Sequence, residues 1–189
     1  MPEPVVLGLS GSLRRGSHNT GLLRAAAREL PEGASLRIYG GLAEVPPYNE
    51  DDDRDPAPAT VARLRAEIGA ADALLVATPE YNHSIPGQLK NAVDWASRPF
   101  PDSSLRFLPT AVVGASTGAF GAVWAQAEMR KVLAACGARV VEGDLALGHA
   151  HERFDAEGKL VDEEAREQLR EVLRILVDAV RARELAAAS

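Results

Sequence analysis

The sequence predicts an α/β domain, a parallel β-sheet covered on both faces by helices. Three observations carry this. Short apolar runs alternate with helix-patterned stretches along most of the chain, which is the order that builds parallel sheets through helical crossovers. Residues 72–78, "DALLVAT", form an apolar run of strand length with the look of a strand buried on both faces. Residues 162–185 place Leu169, Val172, Leu173, Leu176 and Val180 along one helical stripe.

The elements follow in order. Residues 4–9 read as a first buried strand. Ser17 or Asn19 caps a helix in which Leu22, Leu23, Ala26, Ala27 and Leu30 recur at helical spacing, ending near Pro31 and Gly33. Residues 35–39 form a second strand. Residues 40–58 hold Pro46, Pro47, Pro56 and Pro58 with Asp51, Asp52, Asp53 and Asp55, a long surface connection whose acidic run is a solvated face. A helix over 60–69 turns Val61, Leu64 and Ile68 inward, and the strand over 72–78 follows. Pro86 and Gly87 open a helix over 88–97. A fourth strand spans 108–115, a long helix 121–136 closes at Gly137, and a short fifth strand spans 139–142. With no internal repeat, residues 1–189 are expected to make one domain. Right-handed crossovers place ligands of such a sheet beyond the carboxyl ends of its strands.

The chain has 189 residues, 46% of them hydrophobic, enough for one compact core. A formal charge of -6 argues against a nucleic-acid backbone as partner. No apolar run approaches the roughly 20 residues that span a bilayer. Met1 to Pro4 lead directly into a strand without a basic and apolar leader, so a cytoplasmic protein is expected. The single Cys136 rules out an intrachain disulfide and fits a reducing compartment.

Three loops at the carboxyl ends of strands one, three and four carry the unusual chemistry. The first, "SGSLRRGSHNT" from Ser10 to Thr20, combines hydroxyls, two arginines and a helix N-terminus. That is a cradle for a phosphate dianion, although a plain capped turn uses the same residue types. It is not a Walker loop, which needs Gly-Lys-Ser/Thr, nor a G-x-G-x-x-G fingerprint. The second, "TPEYNHSIPGQLKNAVDW" from Thr78 to Trp95, offers a rigid apolar wall edged with amides, suited to a planar heterocycle. His83 alone reads as a surface residue more readily than a proton carrier, and a metal site is not supported. The third, "GASTGAFGAVWAQAEMR" from Gly114 to Arg130, lets the backbone approach a ligand closely before its helix begins.

Together, "GSLRRGSHNT", "PEYNHSIPGQLKNAVDW" and the Ser-Thr-Gly loop resemble the NAD(P)H-dependent FMN reductase family of flavodoxin-like proteins, which includes chromate, quinone and azo-dye reductases. The resemblance runs from about Val5 to Val141. It implies a flavodoxin-like three-layer sandwich with a five-stranded parallel sheet of order 2-1-3-4-5, and FMN at the switch point between strands one and three. By resemblance, Ser10, Ser12, Arg14, Ser17, Asn19 and Thr20 belong to the FMN-phosphate loop. Pro79, Glu80, Tyr81, Asn82, His83 and Ser84 line the isoalloxazine ring, and Ser116, Thr117 and Gly118 lie near its pyrimidine side. Pro47, Tyr48 and Asn49 are expected to form a lid.

The implied activity passes hydride from NADPH or NADH through FMN to a small acceptor: free flavin, a quinone, chromate or an azo compound. No general acid or base is expected, because the flavin supplies the chemistry. The alternative is a flavodoxin-type electron carrier without nicotinamide activity; a non-flavin phosphate-ligand protein is a further one. Carriers are strongly acidic around the flavin and bury it between aromatic residues, whereas aromatics are only 5% here. The family implies a homodimer or a tetramer. Relatives commonly carry an arginine used in subunit contacts where this chain has Trp124, two residues before Gln126, which favours the dimer.

Overall fold

The structure is a computed structural model and describes residues 3–187. Strands β1 (Val5–Ser10), β2 (Ser35–Ile38), β3 (Ala73–Thr78), β4 (Pro109–Ala115) and β5 (Arg139–Val140) pair in parallel in the order β2-β1-β3-β4-β5. This is the flavodoxin-like order expected from the sequence. Helices α1 (His18–Glu29), α2 (Ala59–Gly69), α3 (Gly87–Ala96) and α4 (Val123–Ala135) are the crossovers, and α6 (Glu163–Ala187) closes the fold.

Successive side chains of a strand point to opposite faces, so the central strands feed two cores. On one face Leu7, Leu9, Leu74, Val76 and Val112 pack beneath α2, α3 and α4, with Leu64, Trp95 and Met129 among the contacts. On the other, Val6, Leu75, Ala77 and Val113 pack beneath α1 and α6 through Leu22, Leu23, Leu169 and Leu176. All six residues of β3 are buried, which explains its unbroken apolar run. Removing one such leucine would cost about 2–5 kcal/mol.

The fifth strand differs from expectation. β5 is two residues long and pairs only with Pro109 and Thr110. The chain then leaves the edge and returns as β6 (Ala146–Leu147), pairing with Gly114 and Ala115, before a short helix α5 (Ala150–Arg153). Across the gap the Arg130 guanidinium donates to the carbonyls of Val112 (2.8 Å) and Gly143 (2.9 Å). A side chain thus replaces the missing ladder bonds. Helix α4 also begins two residues later than expected, because Gly121 (φ 58°) and Ala122 (φ 63°) are left-handed.

The expected lid is corrected too. Asn91 Nδ2 and Trp95 Nε1 donate to the Pro46 carbonyl at 2.8 and 2.9 Å, and Tyr48 N–H donates to Asn91 Oδ1 at 2.7 Å. The Tyr48 ring meets Trp95 edge-on at 4.8 Å, and Asn49 caps a 3₁₀ turn by accepting from Asp51 N–H at 3.1 Å. This connection is fastened to α3, and Pro47, Tyr48 and Asn49 do not line the cleft described below. Among the described residues no helix is long and apolar enough to cross a membrane.

Candidate functional site

Three loops meet at the carboxyl end of the sheet. The first leaves β1 and turns immediately at Gly11, whose N–H donates to Ala77 C=O at 2.8 Å. A side chain at Gly11 would not fit: its Cβ would lie 2.7 Å from Leu89 Cδ2 and 3.0 Å from Pro79 Cδ. Ser17 is the N-cap of α1, its hydroxyl accepting from Thr20 N–H at 3.2 Å. The Ser17 hydroxyl hydrogen is still free to donate, and the first N–H groups of α1 have no intrahelical partner. Arg14 is exposed beside them.

The side chains of three residues expected on the phosphate already have hydrogen-bond partners within the protein. Asn19 is buried and its amide is bidentate to Ala115 of β4, Nδ2 donating to the carbonyl and Oδ1 accepting from the N–H, both at 2.9 Å. The hydroxyls of Ser10 and Thr20 bond each other at 2.8 Å. These contacts tie loop one and α1 to the sheet. They set the position of the cradle, and of the three residues only Asn19 lines the cleft.

The second loop is a tight hairpin. Tyr81 and Ser84 exchange backbone hydrogen bonds at 3.1 Å in both directions, with Asn82 (φ 53°) and His83 (φ 59°) at the tip. Two consecutive positive φ values are the type I′ signature. Asn82 and His83 point outward to solvent, and Ser84 Oγ donates to Glu128 at 2.7 Å, so this half of the loop does not face the cleft. Glu80 folds beneath α4: its Oε2 accepts from Trp124 N–H (3.0 Å) and Ala125 N–H (3.1 Å). It supplies from another loop the helix cap that left-handed Ala122 cannot provide. Pro79 and Tyr81 remain on the cleft wall.

In the third loop, Ser116 Oγ accepts from Gly118 N–H at 3.1 Å. The segment missed by the sequence reading supports it: Ser116 N–H donates to Leu147 C=O, Ala150 N–H to Ser116 C=O and His149 N–H to Gly118 C=O, each at 3.0 Å. Gly121 makes this packing possible, since a Cβ there would sit 2.2 Å from the Ala146 carbonyl carbon.

The loops border a cleft of about 150 Å³ that opens to solvent. Of the expected residues, Ser12, Arg14, Ser17, Asn19, Pro79, Glu80, Tyr81, Ser116 and Thr117 line it; Ser10, Thr20, Asn82, His83, Ser84 and Gly118 do not. His18 lines it unforeseen, half-buried at the first position of α1. Burial, then the positive charges of Arg14 and His151, hold its pKa below the ordinary histidine value. The donor set at loop one, hydroxyls, a guanidinium and helix N–H groups, suits a phosphate dianion. The opposite end is lined by Pro79, Glu80, Tyr81, Ser116 and Thr117, a proline and an aromatic ring facing small hydroxyl residues, so the residues present fit a flavin mononucleotide.

A family model for NADPH-dependent FMN reductase matches residues 4–152. An NAD(P)H-dependent FMN reductase of Pseudomonas aeruginosa is 44% identical over 172 residues, spanning 90% of this chain and 92% of the relative. A 2-hydroxy-1,4-benzoquinone reductase of a Burkholderia species is 41% identical over 162 residues, spanning 84% of this chain and 86% of the relative. Among solved structures, FerB, a flavoenzyme NAD(P)H:(acceptor) oxidoreductase from Paracoccus denitrificans, superposes with a TM-score of 0.85 at 33% identity, over 95% of this chain and 98% of FerB. A sheet of order 2-1-3-4-5 and matches over most of the chain agree on one assignment: the chain belongs to the NADPH-dependent FMN reductase family.

Proposed function

We propose that this chain reduces quinone-type acceptors with NADPH or NADH, using FMN held in the three-loop cleft. The net change is quinone plus reduced nicotinamide plus one proton, giving hydroquinone and oxidised nicotinamide. FMN supplies the two-electron chemistry when bound, taking hydride from the nicotinamide and yielding it to the acceptor. Ser12, Ser17, Arg14 and the first N–H groups of α1 hold its phosphate. Pro79 and Tyr81 on one side and Ser116 and Thr117 on the other orient its ring. One observation carries the reading: the carboxylate nearest the cleft, Glu80, is committed to capping α4. That carboxylate is thereby held in a structural role, and the open mouth of the cleft admits the proton from solvent.

The reading extends to a homodimer. Trp124 is 44% exposed, with its ring edge-on to His83 at 4.9 Å and to Phe120 at 5.1 Å. Tyr81, Phe120 and Val123 are exposed beside it. Such an apolar cluster at the rim of a site fits a subunit contact. The lone Cys136 fits a reducing compartment such as the cytoplasm.

Purified protein should show a flavin absorbance spectrum as isolated or after adding FMN, and should then oxidise NADPH steadily with 1,4-benzoquinone. A flavin-loaded protein without turnover would mean an electron carrier. A protein that ignores FMN would sink the reading altogether.

A further inference from the structure

Most arginines of this acidic chain are paired with carboxylates, as in the Glu29–Arg166–Arg170 cluster between α1 and α6. Arg15 and Arg24 are among the arginines without a carboxylate partner among the described residues, and they line one groove together with Asp155 and Glu157. That groove runs between α1 and the turn after α5. Besides these four residues its wall includes His151 and Phe154. Asp155 is partly committed, its Oδ1 accepting from Lys159 N–H at 2.7 Å, and His151 lies 3.4 Å from Glu152. The groove and the cleft share Ser17 and His18 as lining residues, so the two adjoin at the N-terminus of α1. A half-buried aromatic side chain forms part of its floor: Phe154 lies against Gly21, where a Cβ would meet its ring at 2.8 Å, and His18 is 5.3 Å from it.

We infer that this groove binds the adenosine 2′-phosphate end of NADPH, and that Arg15 and Arg24, assisted by His151, distinguish NADPH from NADH. The inference rests on the nicotinamide-dependent reading above. The ligand must have one end in the cleft and must be longer than FMN, whose phosphate finds its partners at loop one. A nicotinamide dinucleotide meets both conditions. Its purine has a flat apolar surface suited to Phe154. Its 2′-phosphate is a monoester dianion, the group that unpaired guanidinium ions bind best. NADH lacks that phosphate and leaves the arginines as they are.

The test is titration calorimetry of the FMN-loaded protein with adenosine 2′,5′-bisphosphate and with adenosine 5′-phosphate. The unaltered protein should bind the bisphosphate more tightly, on the order of tenfold or more. The doubly substituted R15A/R24A protein should lose that difference. In parallel, the KM for NADPH should rise by a similar factor in the double variant while the KM for NADH stays. Equal affinity for the two nucleotides before substitution, or a preference that survives it, overturns the inference. Absence of turnover with either donor, alongside a preserved bisphosphate preference, would instead count against the reductase reading alone.

Discussion

Asn19→Ala should destabilise the protein before it affects any ligand. The Asn19 side chain satisfies both backbone polar groups of Ala115, at 2.9 Å each, in a buried position at the carboxyl end of β4. Alanine removes both partners and leaves a buried N–H and C=O that water reaches poorly. Each unsatisfied group costs about 1–3 kcal/mol, so the sum is roughly 2–6 kcal/mol. For a chain of this size each kcal/mol lowers Tm by about 2–4 °C, which gives a fall of roughly 4–24 °C. The measurement is a thermal melt of flavin-free protein, because bound FMN would add its own stabilisation by mass action.

Asn19→Asp sharpens the test. A carboxylate can still accept from Ala115 N–H but sets a negative oxygen against the Ala115 carbonyl, so it should melt no higher than the alanine variant. FMN affinity should fall in both, since α1 and its N-terminal donors lose their anchor to β4. An unchanged Tm together with lost FMN binding would refute this reasoning and return Asn19 to the role of a phosphate ligand.

Other residues of the site give separate readouts. Ser12→Ala and Ser17→Ala should each weaken FMN binding about ten- to a hundred-fold by fluorescence quenching, from the loss of a bond to a charged group; unchanged affinity in both would leave loop one a plain turn. Only Ser17→Ala should also lower Tm, by the loss of a cap worth about 1 kcal/mol. Trp124→Arg should weaken self-association in a sedimentation dilution series with little change in Tm, since the side chain is already exposed; unaltered association with a lowered Tm would count against the interface. Cys136→Ala should keep nearly full turnover, because burial raises the thiol pKa and keeps it unreactive at neutral pH; lost turnover with FMN still bound would contradict that. Gly121→Ala should be severely destabilising, since its φ of 58° and the 2.2 Å approach to Ala146 leave no room for a methyl group; a melt within a degree or two of the parent would show that the loop can move.

The main strands and helices were legible because each repeats its burial pattern long enough to show a period. The unbroken apolar run of β3 and the stripe of α6 are the clearest cases. β5 and β6, at two residues each, and α5, at four, have no period to read. Their stability comes from partners: β6 is held by hydrogen bonds with β4 and the third loop, and the break before it is bridged by Arg130, nine or more positions back in the chain. Pairing of this kind is tertiary, and local sequence carries little trace of it.

The site shows the same division between composition and partnership. Gathering hydroxyls, an amide and arginines after the first strand marked a loop that lines the cleft. It did not show which of them face the ligand, because an amide that binds phosphate and one that binds a backbone look alike in sequence. The partner of Asn19 lies 96 residues away, and that of Glu80 lies 44 and 45 away. His18 was passed over because nothing in its type distinguishes a first-turn helix residue that lines a cleft from one that faces solvent. The reassigned residues still bear on ligand binding. A phosphate cradle works only if its donors are held in place before the ligand arrives. Asn19, Ser10, Thr20 and Glu80 fix α1, loop two and α4 against one another, so that Ser12, Arg14 and Ser17 can converge without reorganisation. A substitution in the fixing set should therefore lower Tm and FMN affinity together, whereas Ser12→Ala should lower affinity alone.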